Sequence, residues 1–298
     1  MTLAAGVVIT GRELVADAVA ALADAGLGRP RVDAEWLLAG MLGLGRAELY
    51  RVLTEAVPGR AVARYRSAID RRARGEPLQQ ILGWEGFRGL KLRVTPDVLI
   101  PRPETEVLVD VVLSLLRPPR GGVSPLVVDV GTGSGCIASA IARERPDVDV
   151  LALDCSAAAI RVARENIETL GVGKRVSVIA ADLLSPVGAG RADLIVANPP
   201  YLSDAMLASA PSEVRVHEPR LALSGGPDGL TIVRQIVQDA PRALKRGGIL
   251  VLETAGNDQV QDVADLFRTA GFTDVRVTND LAGIDRFVSG ATAAPGEL

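Results

Sequence analysis

Aromatic side chains are scarce in this 298-residue chain: four Phe, three Tyr and two Trp, 3% of the total. Any core must be built from Leu, Val, Ile and Ala, and no basic surface interleaved with stacking rings is available for nucleic acid. There is a single histidine, His217, and only two cysteines, Cys136 and Cys155. A lone His is neither a triad nor a metal site, so His217 is assigned no catalysis. Two cysteines exclude a disulfide framework and a self-sufficient zinc site, and both are expected to be small buried hydrophobes. No uninterrupted apolar run approaches the length of a membrane span. Met1 to Thr10 lacks a basic start and a long apolar stretch, so it is not expected to be a signal peptide. These absences predict a cytoplasmic protein with no membrane partner. A strong charge of one sign is also missing. The net charge is −3, with 14 basic against 11 acidic residues up to position 100 and 19 against 25 beyond it. Neither part has the basic excess of a protein that binds by neutralising phosphates. No Gly-Lys-Ser/Thr follows a glycine loop, which excludes a triphosphate loop.

What is present divides by pattern. Thr10-Gly11-Arg12-Glu13 fits a capping box, followed by Val15, Val19 and Leu22 at helical spacing and Gly26 as the stop. A second helix is predicted from Asp33 to near Gly43, and a short one from Arg46 to Leu53. Pro58 opens a longer helix to about Arg74. Val62, Tyr65 and Ile69 share one of its faces, and Arg60, Arg64, Arg71 and Arg74 lie opposite. Such an arginine stripe is usually a solvated face. The alternative is a docking surface for an acidic or RNA-associated partner. Residues 1–83 thus form a small all-helical domain. Within 84–100, Phe87 to Val94 alternates like a hairpin with glycine at the turn, and Pro96 ends it: a β-hairpin connector.

Residues 101–298 alternate strand and helix after an opening apolar helix (Val107 to Leu116). Strands are predicted at 126–130, 148–154, 176–180, 193–197, 249–253, 274–278 and 286–289. Helices are predicted at 135–144, 157–170, 230–244 and 259–270. This is an α/β, Rossmann-like, doubly wound sheet of seven strands, mostly parallel. Only Asn279 to Asp285 separate the last two strands, too few residues for a helical crossover, so the last strand is antiparallel. Ala291 to Leu298 reads as a frayed tail.

Four successive strand ends carry chemistry. Gly131-Thr132-Gly133-Ser134-Gly135 lets the chain turn sharply and a ligand approach the backbone. Its third glycine comes one residue too early for a dinucleotide fingerprint. Asp154 ends the second strand, where a carboxylate accepts ribose hydroxyls. Asp182-Leu183 follows the third, where a carboxylate can meet an exocyclic adenine amine. Asn198-Pro199-Pro200-Tyr201 follows the fourth, a polar group held by two prolines and an aromatic ring. Each alone is a turn residue or a cap. Their order along one sheet edge, where such folds bind ligands, resembles an S-adenosylmethionine-dependent methyltransferase.

The chain further resembles the release factor glutamine methyltransferase family (HemK/PrmC). The likeness rests on Ile81-Leu82-Gly83, Ile100-Pro101-Arg102-Pro103-Glu104-Thr105-Glu106, Asp129 to Cys136, Asn198 to Tyr201, Glu218 to Leu223, Gly225 to Leu230 and Asp285-Arg286. It implies a class I methyltransferase fold and methylation of the glutamine amide nitrogen in the Gly-Gly-Gln motif of class 1 release factors. It implies S-adenosyl-L-methionine as donor, S-adenosyl-L-homocysteine as product and no metal. Cofactor contacts carry over to Gly131, Thr132, Gly133, Ser134, Gly135, Asp154, Asp182, Leu183 and Asn198. The amide would be held by Asn198, Pro199, Pro200 and Tyr201. Leu183 departs from the aromatic residue frequent in relatives, which leaves apolar packing in place of adenine stacking there; Glu253-Thr254-Ala255-Gly256 departs from their Glu-Ile-Gly, and to this no consequence is attached. The chain is expected to act as a monomer and to make no direct nucleic-acid contact. Two other readings stay open: an adenine-N6 nucleic-acid methyltransferase using the same Asn-Pro-Pro-Tyr clamp, and a non-catalytic cofactor-binding module.

Overall fold

The computed structural model describes residues 9–119, 121–256 and 258–294; for Asp258 only the backbone is described. The residues fall into two compact units. The first runs to Gly83 and also takes in Ser212–His217. Its helices are Gly11–Asp24, Pro30–Leu42, Arg46–Val52, Gly59–Ala73 and Leu78–Leu82. The first begins with the expected capping box: Glu13 N–H donates to Thr10 Oγ1 (3.3 Å), and Thr10 N–H donates to Glu13 Oε2 (2.8 Å). The second starts at Pro30 rather than Asp33, because proline suits the first helical turn, where an N–H has no partner to lose. The short helix after Pro77 was not anticipated.

The core of this unit is Leu14, Leu22, Leu37, Leu38, Leu49, Tyr65 and Ile69. Tyr65 buries its ring and donates its hydroxyl to the Ala34 carbonyl (3.1 Å). The arginine stripe is only partly as expected. Arg60, Arg64 and Arg74 are exposed, but Arg71 folds back onto Glu76. Arg72, next to it, is buried between Asp33 (2.7 Å) and Glu213 (3.1 Å). Gln80 Nε2 donates to the His217 carbonyl (2.9 Å), which fixes the short helix 212–217 in this unit.

Among the described residues the second unit contains nine strands: β1 (Trp84–Phe87), β2 (Leu90–Arg93), β3 (Leu126–Val130), β4 (Asp149–Asp154), β5 (Val176–Ala180), β6 (Ala192–Ala197), β7 (Leu244–Glu253), β8 (Thr273–Asn279) and β9 (Asp285–Ala291). β1 and β2 pair as an antiparallel hairpin. The other seven form one sheet in the order β5-β4-β3-β6-β7-β9-β8. β5 through β7 pair in parallel, and β9 is antiparallel to both β7 and β8. The C-terminal tail begins later than expected, since Ala291 still pairs in β9. Residues 1–8 of the segment read for a signal peptide, Arg120, Asn257 and residues 295–298 of the tail lie outside the described residues.

The central strands are buried on both faces, which explains their continuous apolar runs. Val127, Leu194, Val196 and Val251 pack against the helices Pro103–Leu115, Cys136–Glu144 and Ala157–Thr169. Their neighbours Val128, Ile195, Leu250 and Leu252 face the helices Thr231–Ala243 and Asp258–Thr269. The hairpin joins the first of these layers through Phe87 and Leu92. Chain order reverses between β3 and β6, so their carboxyl ends diverge and open the crevice where such sheets bind ligands.

Candidate active site

A cavity opens at this switch point. Its wall includes Gly131 to Ser134 after β3, Asp154 after β4, Asp182 and Leu183 after β5, and Asn198, Pro199 and Pro200 after β6. Four loops far apart in sequence are thus brought to one space, because each follows a parallel strand at the same edge.

The glycine loop is wired into the sheet. Gly131 and Thr132 N–H both donate to the Leu153 carbonyl (2.8 Å each). Gly131 and Gly133 have φ of +74° and +55°, and a Cβ on Gly131 would meet no atom within 4 Å. The missing side chain therefore leaves open space beside the backbone, the cradle an anionic or polar ligand needs. Gly135 differs from the expectation. It is not part of the cavity wall, and a Cβ there would press on Ala163 (3.3 Å). Its φ of +78° and close packing against the helix Ala157–Thr169 both call for glycine.

Asp129, in β3 just before the loop, is fully buried. Its Oδ2 accepts from Thr132 Oγ1 (2.6 Å) and Ala138 N–H (3.2 Å), while Oδ1 has no partner among the described residues. Burial pushes its carboxyl up to about 7 against those two bonds. Asp154 accepts from Gly133 N–H (2.9 Å) and Ser156 N–H (2.8 Å), one bond on each oxygen. Each oxygen keeps a second lone pair for a hydroxyl donor. Leu183 sits at φ +44°, a conformation unfavourable for a branched side chain. Cys155 corrects an expectation: it is exposed and lines the cavity, carried there by its position directly after Asp154. Cys136 is buried as expected, and its thiol is pushed up to about 12 by that burial.

Asn198 is half-buried, and its Nδ2 donates to Thr105 Oγ1 (3.0 Å). Thr105 Oγ1 donates in turn to Glu253 Oε2 (2.9 Å). Thr105 lies in the first turn of the helix Pro103–Leu115, and Glu253 ends β7. Burial pushes the Glu253 carboxyl up to about 7. The hydroxyl of Thr105, the Arg286 guanidinium and the Tyr201 phenol oppose that rise, and Glu104 adds to it. Among the described residues, Oε1 of Glu253 has no hydrogen-bond partner of good geometry. Tyr201 does not form part of the cavity wall; its enclosed phenol is pushed up by burial and by Glu253.

The backbone after Asn198 is braced from two sides. Gln259 Nε2 donates to the Tyr201 carbonyl (3.0 Å), and Leu202 exchanges bonds with Leu223 and Gly225 (3.0 and 2.9 Å). A Cβ on Gly229 would collide with the Tyr201 carbonyl, so the Gly225-to-Leu230 loop can close on the clamp only with glycine there. Arg102 pairs with the buried Glu218 (2.5 Å), which also accepts from Ile100 N–H (3.2 Å). These bonds draw the Ile100–Glu106 stretch to the same rim. Sequence reasoning assigned no role to Thr105, Glu253, Asp129 or Glu218. Glu253 could have been found by extending the strand-end pattern one strand further.

Comparison with known proteins fixes the family. The family model described as "PrmC N-terminal domain" matches residues 13–83, and that described as "Methyltransferase small domain" matches residues 105–278. Three curated relatives are each called "Release factor glutamine methyltransferase". The one from Moorella thermoacetica is 45% identical over 93% of this chain and 97% of its own. Those from Caulobacter vibrioides and Geobacter sulfurreducens are 42% and 44% identical over 90% of this chain and 92% of theirs. Among solved structures, a methyltransferase from Pyrococcus furiosus is similar with a TM-score of 0.51 at 17% identity, over 69% of this chain and 90% of that one. The catalytic domain of hMettl16, in complex with an RNA hairpin, gives 0.55 at 15% identity, over 83% and 85%. These two show the fold, that of class I S-adenosylmethionine-dependent methyltransferases. Its identity to the curated relatives, sustained over nearly the full length of both partners, shows that this chain belongs to the release factor glutamine methyltransferase family.

Proposed function

We propose that this protein methylates the side-chain amide nitrogen of the glutamine in the Gly-Gly-Gln motif of class 1 release factors, with S-adenosyl-L-methionine as donor. The observation that carries the reading is the meeting of the glycine cradle, Asp154 and Asp182 with Asn198 and Pro199 around one cavity. Gly131 to Ser134, Asp154, Asp182 and Leu183 would hold the donor: the open space at Gly131 admits it, and Asp154 retains lone pairs for ribose hydroxyls. When bound, the donor supplies an electrophilic methyl group, and its transfer to the amide nitrogen leaves a thioether and releases one proton.

An amide nitrogen is a weak nucleophile because its lone pair is delocalised into the carbonyl. It carries two N–H donors. The Asn198 side-chain oxygen accepts one, and the Pro199 carbonyl accepts the other. Within the described residues no hydrogen bond occupies that carbonyl. Two acceptors in fixed positions orient the amide plane and favour the geometry in which the lone pair leaves conjugation. Pro199 and Pro200 stiffen the backbone that presents the carbonyl. Tyr201 supports the clamp from behind, beside Glu253, rather than walling the cavity. The protein acts as a monomer in the cytoplasm without direct nucleic-acid contact, and its exposed Arg60 and Arg64 contribute to docking the release factor. No helix among the described residues is long and apolar enough to cross a membrane.

The test uses donor labelled in the methyl group, incubated with the protein and a mixture of release factor and adenine-containing DNA and RNA. Label on the release factor is the expected result. Label on nucleic acid would favour the adenine reading, and label on neither the binding-module reading.

A further inference from the structure

We propose that Thr105 and Glu253 are positioning residues that set which end of the Asn198 side chain faces the substrate amide. The inference rests on the reading of Asn198 as an amide clamp. The two ends of an Asn carboxamide are nearly alike in size, but one donates and the other only accepts. A clamp that must accept an N–H works in one orientation only. Flipped, it would set its own NH2 against the NH2 of the substrate.

The arrangement around Asn198 selects the orientation by donor–acceptor logic. The Thr105 hydroxyl has a single proton. An ionised Glu253 can only accept, so at 2.9 Å it takes that proton's hydrogen bond. The lone pairs of Thr105 Oγ1 are then the only face left to Asn198, and at 3.0 Å they demand a donor, Nδ2. The oxygen of Asn198 is thereby left for the substrate. Thr105 and Glu253 are 2% and 1% exposed, so bulk water does not compete for these bonds. The three residues come from different places: the turn after β6, the first turn of the helix Pro103–Leu115, and the end of β7. Nothing short of the fold brings them together.

The charge on Glu253 is the source of the polarity. Its carboxyl titrates at about 7, raised by burial and by Glu104, and held down by Thr105, Arg286 and Tyr201. A protonated Glu253 can donate to Thr105, freeing the threonine proton to turn toward Asn198 and to favour the flipped amide. Turnover should therefore rise with pH through about 7.

The experiment combines kinetics with nuclear magnetic resonance of the isotopically labelled protein. Thr105→Val removes the hydroxyl at constant shape and should lower kcat about tenfold, the worth of one hydrogen bond, while cofactor affinity holds. Thr105→Ser should restore it. In an Asn198→Ala background, Thr105→Val should have no further effect; a further tenfold loss there would overturn the proposal. Glu253→Gln should abolish the acid limb of the kcat profile, and an unchanged limb would count against it. The side-chain NH2 signals of Asn198, assigned by their loss in Asn198→Ala, should shift with pH in the wild type and lose protection in Thr105→Val. Identical signals in both proteins would refute the positioning role. If the wild type transfers no methyl to a release factor, the functional reading fails, and the resonance comparison still decides the positioning.

Discussion

Glu35 in the helical unit and Glu253 in the sheet unit are equally withdrawn from water, 0% and 1% exposed, yet their carboxyls are driven in opposite directions. Burial pushes Glu35 up, but Arg46, Tyr50 and Arg31 all donate to it at 2.8–3.0 Å, and the net shift is downward. Glu253 accepts one bond of good geometry, from the neutral Thr105 hydroxyl, its other oxygen has none among the described residues, and Arg286 and the Tyr201 phenol only partly offset its burial. Burial wins there. Two cations and a phenol make Glu35 a structural knot that stays ionised. The sparsely partnered Glu253 stays near its titration point, with a chain of two hydrogen bonds leading to Asn198. Asp129, just before the glycine loop, belongs with Glu253: fully buried, one oxygen without a partner among the described residues, raised to about 7. Strongly perturbed carboxyls cluster at working sites, and the contrast separates a carboxylate that holds helices together from two that each accept a hydrogen bond from a threonine of the cavity wall.

Substitutions can break that contrast. The largest effect is expected at the end of the Glu253 chain: Asn198→Ala should reduce turnover by about 10²-fold or more. The counterpart is Glu35→Gln, which leaves two guanidiniums without their carboxylate. It should cost about 2 kcal/mol in denaturant titrations of the helical unit, below the range for fully buried pairs, because Arg31 and Arg46 are 71% and 36% exposed. Turnover per folded molecule should stay unchanged. A Glu35 variant that lost turnover, or an Asn198 variant that kept it, would erase the distinction.

The pH dependence sharpens it. Glu253 and Asp129 are raised from ordinary values of 4.5 and 3.8 to about 7. The folded state binds their protons more tightly than the unfolded state, so their contribution is fully present below the ordinary values. It is lost progressively as pH rises through about 7. Glu35 has the opposite sign: its contribution is present above its ordinary value and is lost as pH falls through the lowered one. Urea midpoints measured from pH 5 to 8 should decline for the wild type and decline less for Glu253→Gln. The smallest effect is expected on the exposed surface. Charge reversal at Arg60 and Arg64 should raise KM for the release factor a few-fold, chiefly through slower association, with cofactor affinity unchanged.

The sequence made legible those features whose signal is local. Thr10 and Glu13 are three residues apart, and their capping box is as read. β3 and β6 announce themselves as apolar runs because both faces are buried. The loops at the strand ends then fall at one edge by the rules of parallel sheets, which is how Asp154, Asp182 and Asn198 could be grouped. What was hidden depends on partners far along the chain. Thr105 is 93 residues from Asn198 and 148 from Glu253, and no periodicity marks such a link. Arg71 looked like part of a free stripe because Glu76, its partner, lies past the end of the helix. The packing of Gly135 against Ala163 could not be read because that helix comes later in the chain. Cys155 shares its residue type with buried Cys136, and only the strand end decides its exposure.

The central claim is chemical: the methyl group goes to the side-chain nitrogen of one glutamine in a protein. The most direct measurement is tandem mass spectrometry of a class 1 release factor before and after incubation with this protein and S-adenosyl-L-methionine. The account predicts one added methyl group, carried by the Gly-Gly-Gln peptide and localised to its glutamine side chain, and absent when Asn198→Ala replaces the wild type. An unmodified Gly-Gly-Gln peptide, or a methyl group on any other residue, would contradict it.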